Sequence, residues 1–82
     1  MTITIRLFAR FRDLAGAAVM AREINDGATV EDAIRLVEAE FPEFQGKLER
    51  MALVAVNEAY ASRQTRLQAN DVVAFFPPVS GG

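Results

Sequence analysis

The sequence predicts an α+β fold in which a mixed sheet of four or five short strands is crossed by one main helix. The N-terminal residues alternate between apolar and polar with a period of two, which indicates a strand. Residues 30–41 carry apolar side chains at helical spacing, and the apolar run 72–76 is typical of a further strand. A strand that follows the helix can join the sheet of the first strands, so that the helix lies across one face.

The first two strands are predicted near the N-terminus. Residues 3–8 alternate between two sides of a strand, and the apolar side comprises Ile3, Ile5 and Leu7. The pattern breaks at residues 12–16, where Gly16 can supply a turn, and residues 17–24 can return as the second strand. The sequence Asn25-Asp26-Gly27 then gives a strong turn signal, which ends this strand.

The main helix is predicted from Val30 to Phe41. Thr29 is a good N-cap, and Asp32 stands at the capping-box position, although Asp is shorter than the usual Glu. Pro42 disfavours a helical conformation at Phe41 and therefore stops the helix. Residues 43–50 are expected to form a loop or a short helical turn.

Three further strands complete the prediction. Residues 53–56 form a short buried strand, residues 59–61 a brief edge strand, and residues 72–76 the last strand. Asn70 is expected to adopt a left-handed conformation in the turn before the last strand. The order of strand, strand, helix, strand, short strand, strand is that of the β-grasp, or ubiquitin-like, fold. Residues 1–76 are predicted to form this domain and residues 77–82 a flexible C-terminal tail.

The composition excludes several classes of chemistry. The 82 residues include no cysteine and no histidine, so neither a thiol nucleophile nor the commonest general base is present. The net charge of −2 provides no basic footprint for nucleic acid. No apolar run approaches the roughly 18 residues of a membrane-spanning helix. We expect a cytoplasmic domain without bound cofactor or metal.

The face of the sheet opposite the helix is predicted to bind a partner. Phe8 points away from the apolar side of the first strand, and successive side chains alternate, so either Phe75 or Phe76 must leave the core. Tyr60 is a third aromatic residue for this open face. An exposed aromatic cluster on a small domain is typical of a protein-binding surface. The alternative is that loops cover the cluster, or that the aromatics form a minor core.

The tail is the second candidate site. Pro77-Pro78 would stiffen its stem, and the last residues, Ser80-Gly81-Gly82, are slim. Because glycine has no Cβ, such a tail can enter a narrow channel and present its carboxylate to another protein's active site. The alternative is a chain terminus that is merely rich in small residues.

With these features together, the chain resembles the small subunits of molybdopterin synthase. The most specific match is residues 71–82, which read Asp-Val-Val-Ala-Phe-Phe-Pro-Pro-Val-Ser-Gly-Gly. The segments Leu7-Phe8-Ala9 and Ala55-Val56-Asn57 also match, as do residues 12–16. Asp13 and Asn70 depart from the family pattern, which often has Glu and Gly at these positions.

The resemblance implies a sulfur carrier that is not an enzyme on its own. An ATP-dependent activating enzyme would adenylate the Gly82 carboxylate, and sulfur would then replace the adenylate to give a thiocarboxylate. Gly81 and Gly82 would enter the active site of a large subunit in a heterotetramer, where sulfur passes to cyclic pyranopterin monophosphate. The resemblance favours Phe76 over Phe75 for the open face. The implied contacts with the large subunit are Phe8, Tyr60, Phe76, Pro77, Pro78 and Val79.

Three alternatives remain open at the level of the sequence. The first is a sulfur carrier of the thiamine pathway, with the same fold and tail but another acceptor. The second is a ubiquitin-like modifier that is conjugated through Gly82 to lysines. The third, from a different class, is a β-grasp binding module in which the two terminal glycines have no role.

Overall fold

The computed structural model of the protein describes residues 1–78, which form a five-stranded mixed sheet with helices packed on one face. This architecture confirms the predicted β-grasp fold. The strands are β1 (Thr2–Leu7), β2 (Val19–Glu23), β3 (Leu53–Val56), β4 (Ala59–Tyr60) and β5 (Val72–Phe76). The helices are α1 (Ala9–Ala15), α2 (Val30–Glu40) and α3 (Lys47–Met51), with a short 3-10 helix at Pro42–Phe44.

The strand order is β2-β1-β5-β3-β4, and the two central strands, β1 and β5, run parallel. All other neighbours are antiparallel. In the central pair Leu7 lies opposite Phe75, so the C-terminal ends of β1 and β5 lie at the same end of the sheet. The start of α1 and the beginning of the tail are therefore brought together, although they are far apart in the sequence.

Helix α2 begins where the sequence predicts, because its first turn is closed by local hydrogen bonds. The Thr29 hydroxyl accepts from the Asp32 amide at 3.4 Å, and the Asp32 carboxylate accepts from the Thr29 amide at 2.9 Å. The shorter Asp side chain thus completes the capping box. The helix ends at Glu40, one residue earlier than predicted, and Phe41 before Pro42 is its C-cap.

The core lies between the sheet and the helices. Among residues 1–78 it contains no buried polar or charged residue. The largest fully buried side chains are Ile3, Ile5, Leu7, Phe11, Val30, Ile34, Val37, Phe44, Leu48, Val54, Val73 and Phe75. This set includes the predicted apolar side of β1 and most of the predicted stripe of α2, so both periodicities are confirmed.

The strand breaks earlier than predicted, at Leu7, and the sequence analysis missed helix α1 at residues 9–15. The turn predicted at Gly16 is confirmed. The helix is short, and its only fully buried side chain is Phe11, which packs against Phe44 with 5.7 Å between ring centroids. One buried residue creates no periodic pattern, so burial of Phe11 in the tertiary structure decides the conformation. Gly16 follows as the C-cap, with a φ of 73° that suits glycine.

Three predicted strand boundaries are also corrected. Strand β1 ends at Leu7, and Phe8 is the extended residue that precedes α1. Strand β2 covers only residues 19–23 of the predicted 17–24, and β4 ends at Tyr60 without Ala61. Backbone hydrogen bonds continue past the ends of β2 and β4, because the Leu7 amide donates to Ala18 and the Ala61 amide donates to Val54. These boundaries therefore differ from the prediction by only one or two residues.

The turn between β3 and β4 is connected to β5 by Asn57. The Asn57 side chain donates to the Asp71 carboxylate at 2.8 Å and accepts from the Val72 amide at 2.9 Å. Asn57 and Glu58 both have positive φ angles, 50° and 71°. The pair therefore forms a tight hairpin turn, for which Asn is one of the favoured residues.

We expect Asn57→Ala to lower the free energy of unfolding by about 0.5–1.5 kcal/mol, because the Val72 amide and the Asp71 carboxylate exchange a side-chain partner for water. Urea denaturation followed by circular dichroism measures this loss. Glu58→Ala is the matched control, since it keeps a positive φ in the same turn without removing these hydrogen bonds. Equal losses in the two variants would show that the Asn57 side chain contributes nothing specific.

Candidate docking surface

Phe8 and Phe76 form a stacked pair on the open face of the sheet. Their ring centroids are 4.5 Å apart and the rings are inclined by 13°. Both side chains are half-buried, whereas Phe75 is fully buried in the core. The prediction that one of the last two phenylalanines leaves the core is confirmed, and it is Phe76. Stacked rings of this kind are stabilised beyond the area that they bury.

Arg6 covers the other side of this pair. Its guanidinium carbon lies 5.0 Å from the centroid of the Phe8 ring, which is a cation–π distance. Arg6 and Phe8 thus continue the stack outward from Phe76. Phe8 therefore contacts both Phe76 and Arg6 on the open face.

A hollow lies on the side of the aromatic pair from which the chain continues towards the tail. We call it the tail-root hollow. It is lined by Phe8, Ala9, Leu53, Tyr60, Phe76, Pro77 and Pro78. Nearly all of this lining is apolar, so the hollow suits the apolar side chains of a protein partner. The predicted contacts Phe8, Tyr60, Phe76, Pro77 and Pro78 therefore surround one concave site.

Tyr60 lies at the rim of this hollow and is 86% exposed. Strand β4 has only two residues and pairs with β3 alone, so no neighbouring strand covers the ring. The structure places Tyr60 on the predicted surface but does not stack it on Phe8 or Phe76. An aromatic ring this exposed is available to a partner.

Sequence reasoning missed two exposed apolar residues of the open face, Val19 and Leu53, which are 56% and 46% exposed. Leu53 lies directly opposite Phe76 in the β3–β5 ladder. The alternation of side chains along β3 could have identified Leu53 as exposed, because the next residue, Val54, is fully buried. Val19 lies opposite Arg6 at the other side of the face.

Sequence reasoning also missed the backbone of Ala9. This residue has a φ of 51°, which is uncommon for a residue other than glycine, asparagine or aspartate. Ala9 is the first residue of α1 and lines the tail-root hollow. Its conformation turns the chain from Phe8 into the helix, at the place where Phe8 stacks on Phe76.

Three predicted site residues, Val79, Gly81 and Gly82, lie outside the described residues. Pro77 is half-buried and Pro78 is exposed, and both follow directly on β5. The tail therefore leaves the domain from the edge of the tail-root hollow. The predicted roles of the six tail residues stay predictions.

The titratable groups with shifted pKa values are Arg22 on β2, Glu40 on α2 and Glu49 on α3, and none of them lines the tail-root hollow. The Arg22 guanidinium, through a hydrogen bond, lowers the pKa of the Glu40 carboxyl. A hydrogen bond with Glu31 raises the pKa of Glu49. Within residues 1–78, no group of three or more acidic side chains is close enough to hold a metal ion.

Comparison with known proteins decides the family. A family model described as the ThiS family matches residues 5–82. The chain belongs to the ThiS family. In the part of this ThiS-family chain that the structure describes, we find no helix with the length and apolar character needed to cross a membrane.

Three relatives show what this ThiS-family chain is similar to. It is 35% identical to small archaeal modifier protein 3 of Haloferax volcanii over the full length of both chains. It is 33% identical to the molybdopterin synthase sulfur carrier subunit of Chlamydomonas reinhardtii, again over the full length of both. A solved structure from Pyrococcus furiosus, described as a putative molybdopterin converting factor subunit 1, is 32% identical. It superposes with a TM-score of 0.85, covering 96% of this chain and 99% of that one.

Proposed function

We propose that this chain is the sulfur carrier subunit of a molybdopterin synthase. The observation that carries the proposal is the position of the aromatic pair and the tail-root hollow at the root of a tail that ends in Gly81-Gly82. A carrier must dock on a partner and insert its C-terminus at the same time. The names of the relatives from Chlamydomonas reinhardtii, Arabidopsis thaliana and Dictyostelium discoideum support the choice of acceptor.

In this proposal the partners perform the chemistry on Gly82. The carboxylate attacks the α-phosphate of ATP in an activating enzyme and displaces pyrophosphate, and the resulting mixed anhydride provides a leaving group that a free carboxylate lacks. Hydrosulfide delivered by a sulfur donor then displaces AMP, loses its proton and leaves a thiocarboxylate. The large subunit uses this sulfur to build the dithiolene from cyclic pyranopterin monophosphate. Because ATP is a co-substrate, we propose that these steps take place in the cytoplasm.

The chain itself provides a docking surface and a tail of sufficient length. The apolar lining around Phe8 and Phe76 can be covered by a large subunit, which fixes the root of the tail. Six residues follow Phe76, and a fully extended segment of this length spans about 20 Å. The carboxylate can therefore reach an active site buried well inside the partner. We propose a heterotetramer of two small and two large subunits.

Intact-mass measurement tests the proposal directly. The chain is incubated with an activating enzyme of the ubiquitin-activating type, ATP and a sulfur donor. We expect one oxygen to be exchanged for one sulfur, with fragmentation placing the sulfur on Gly82. An otherwise identical reaction without ATP is the control. A chain that is adenylated but never acquires sulfur would contradict the carrier function.

We expect Phe76→Asp to weaken binding to the large subunit by about 2 kcal/mol or more, which is roughly thirtyfold, because it removes an aromatic anchor from the centre of the surface. Calorimetric titration measures the loss. Tyr60→Asp should also weaken binding to the large subunit. Because Tyr60 is exposed, this substitution should not destabilise the fold.

Ala39→Asp is the matched control for both variants. It adds the same negative charge on the exposed side of α2, away from the open face. Circular dichroism establishes that each variant is folded. If folded Phe76→Asp and Tyr60→Asp bind the large subunit with wild-type affinity, the proposed docking surface is wrong.

A second function is favoured by one specific observation, the 35% identity with small archaeal modifier protein 3 over the full length of both chains. A modifier would form an amide between Gly82 and a lysine of a target protein. Incubation with the activating enzyme, ATP and a cell extract separates the two functions. Digested target peptides that carry a branched glycine tail on lysine would support the modifier. A thiocarboxylate without such branches supports the sulfur carrier.

The acceptor distinguishes the remaining alternatives. A carrier of the thiamine pathway would form the same thiocarboxylate, so the loaded chain is offered to a molybdopterin synthase large subunit with cyclic pyranopterin monophosphate. Formation of molybdopterin supports the proposal. If Gly82 is not activated by any such enzyme, the binding-module alternative is favoured.

A further inference from the structure

Strand β2 forms one edge of the sheet, and its pairing with β1 shows which backbone groups face outward. Met1 and Ile24 exchange two hydrogen bonds of 2.8 Å, and the Leu7 amide donates to the Ala18 carbonyl at 2.9 Å. Hydrogen-bonded and non-hydrogen-bonded pairs alternate along an antiparallel ladder. With the register of Thr4 opposite Ala21, the even-numbered residues of β2 bond to β1. The backbone groups of Val19, Ala21 and Glu23 therefore face away from the sheet.

One of these outward groups is occupied by a side chain of the same strand. The Arg22 guanidinium donates to the Ala21 carbonyl at 2.8 Å. The same guanidinium is held by Glu40 at the end of α2, with its Nε 2.8 Å from Oε1 and a second bond from a terminal nitrogen to Oε2. A bidentate pair of this kind has a defined geometry. We call this arrangement the Arg22 clasp.

The outward edge of β2 is complementary to a second copy of itself. In an antiparallel pairing centred on Ala21, the two Ala21 residues face each other and would exchange both of their hydrogen bonds. The same register sets Val19 opposite Glu23 and Met20 opposite Arg22 of the second copy. No like charges lie directly opposite each other in this register. The two Arg22 side chains become diagonal neighbours, and their repulsion adds to the protection of this edge.

We propose that the edge of β2 is a self-pairing surface for a second copy of this chain, and that the Arg22 clasp keeps it closed. The clasp occupies the Ala21 carbonyl, which is the central acceptor of the pairing, and places a charged side chain across the edge. Natural sheets protect their edges with charged side chains in this way. The inference concerns the isolated chain and does not depend on the function of the tail.

Sedimentation velocity over a concentration series tests the proposal on the full chain. Wild-type protein remains at 9.0 kDa. In Arg22→Ala the mass doubles as concentration rises, and hydrogen exchange shows new protection of the Ala21 amide. Arg10→Ala removes the same charge from the exposed side of α1 and stays monomeric. Glu40→Ala removes both acceptors of the guanidinium without altering β2 and should raise the mass in the same way. It provides a second test if Arg22→Ala does not fold.

A second substitution identifies the surface that associates. Ala21→Pro removes the outward amide, and proline is tolerated at such an edge position. Added to Arg22→Ala, it returns the mass to 9.0 kDa. The proposal is overturned if folded Arg22→Ala and Glu40→Ala remain monomeric at the highest soluble concentration. It is equally overturned if Ala21→Pro leaves the association unchanged, because the contact then lies on another surface.

Discussion

Appending one residue after Gly82, or deleting Gly82, is expected to abolish sulfur transfer while the domain remains folded. Each change moves the reacting carbon by about 3.3–3.6 Å along an extended tail. Misplacement by about 1 Å can lower a rate by ~10²-fold, so a whole residue removes the carbon from the reach of the active site. Formation of molybdopterin from cyclic pyranopterin monophosphate, with purified large subunit, measures the loss.

Tail length and tail composition are separated by a control. Ser80→Ala changes a side chain of the tail but keeps its length, so it should retain activity. The folded domain should be unaffected in all three variants, because the core is formed upstream of the tail. Thermal melting checks this. An extended chain that still acquires sulfur and still supports molybdopterin formation would refute the mechanism proposed for Gly82.

The second large effect is expected for Ile34→Asp, which should lower the free energy of unfolding by several kcal/mol. Ile34 lies in the middle of α2 and is only 1% exposed. The substitution removes a packed apolar side chain and buries a carboxylate among apolar neighbours that offer it no hydrogen bond. Since small domains are stable by only about 5–15 kcal/mol, a large part of the variant should be unfolded at room temperature. Urea denaturation followed by circular dichroism measures the change.

Ala39→Asp is again the matched control, because it introduces the same side chain at an exposed position of the same helix. The expected loss is about 1 kcal/mol or less, from the lower helix propensity of Asp. A melting temperature of Ile34→Asp equal to that of Ala39→Asp would contradict the position of Ile34 in the core.

The candidate surface was predicted in its parts but not in its assembly. Alternation along β5 required one phenylalanine to leave the core, and the structure shows that it is Phe76. The stack of Phe76 on Phe8 joins residues at opposite ends of the sequence and exists only because β1 and β5 pair in parallel. The inclusion of Ala9 in the tail-root hollow beside Phe76 follows from that pairing. The cation–π contact joins Arg6 to Phe8, two residues further along the chain. Whether these residues bind a large subunit stays a prediction.

The sequence by itself determined the elements whose stabilising contacts are local. Thr29 and Asp32 cap α2 through hydrogen bonds within four residues, Pro42 limits it, and Asn70 has the predicted left-handed conformation, with a φ of 70°. The alternation of β1 likewise identified which of its sides is buried. Each of these features depends on neighbours in the chain, so the order of residues is sufficient to predict it.

Only the tertiary structure decided the features that depend on distant contacts. Helix α1 is too short to be stable in isolation and exists because Phe11 is buried against Phe44. The clasp between Arg22 and Glu40 joins the edge strand to the end of α2 across 18 residues. Contacts between residues far apart in the sequence decide both features, so a local sequence pattern does not predict them.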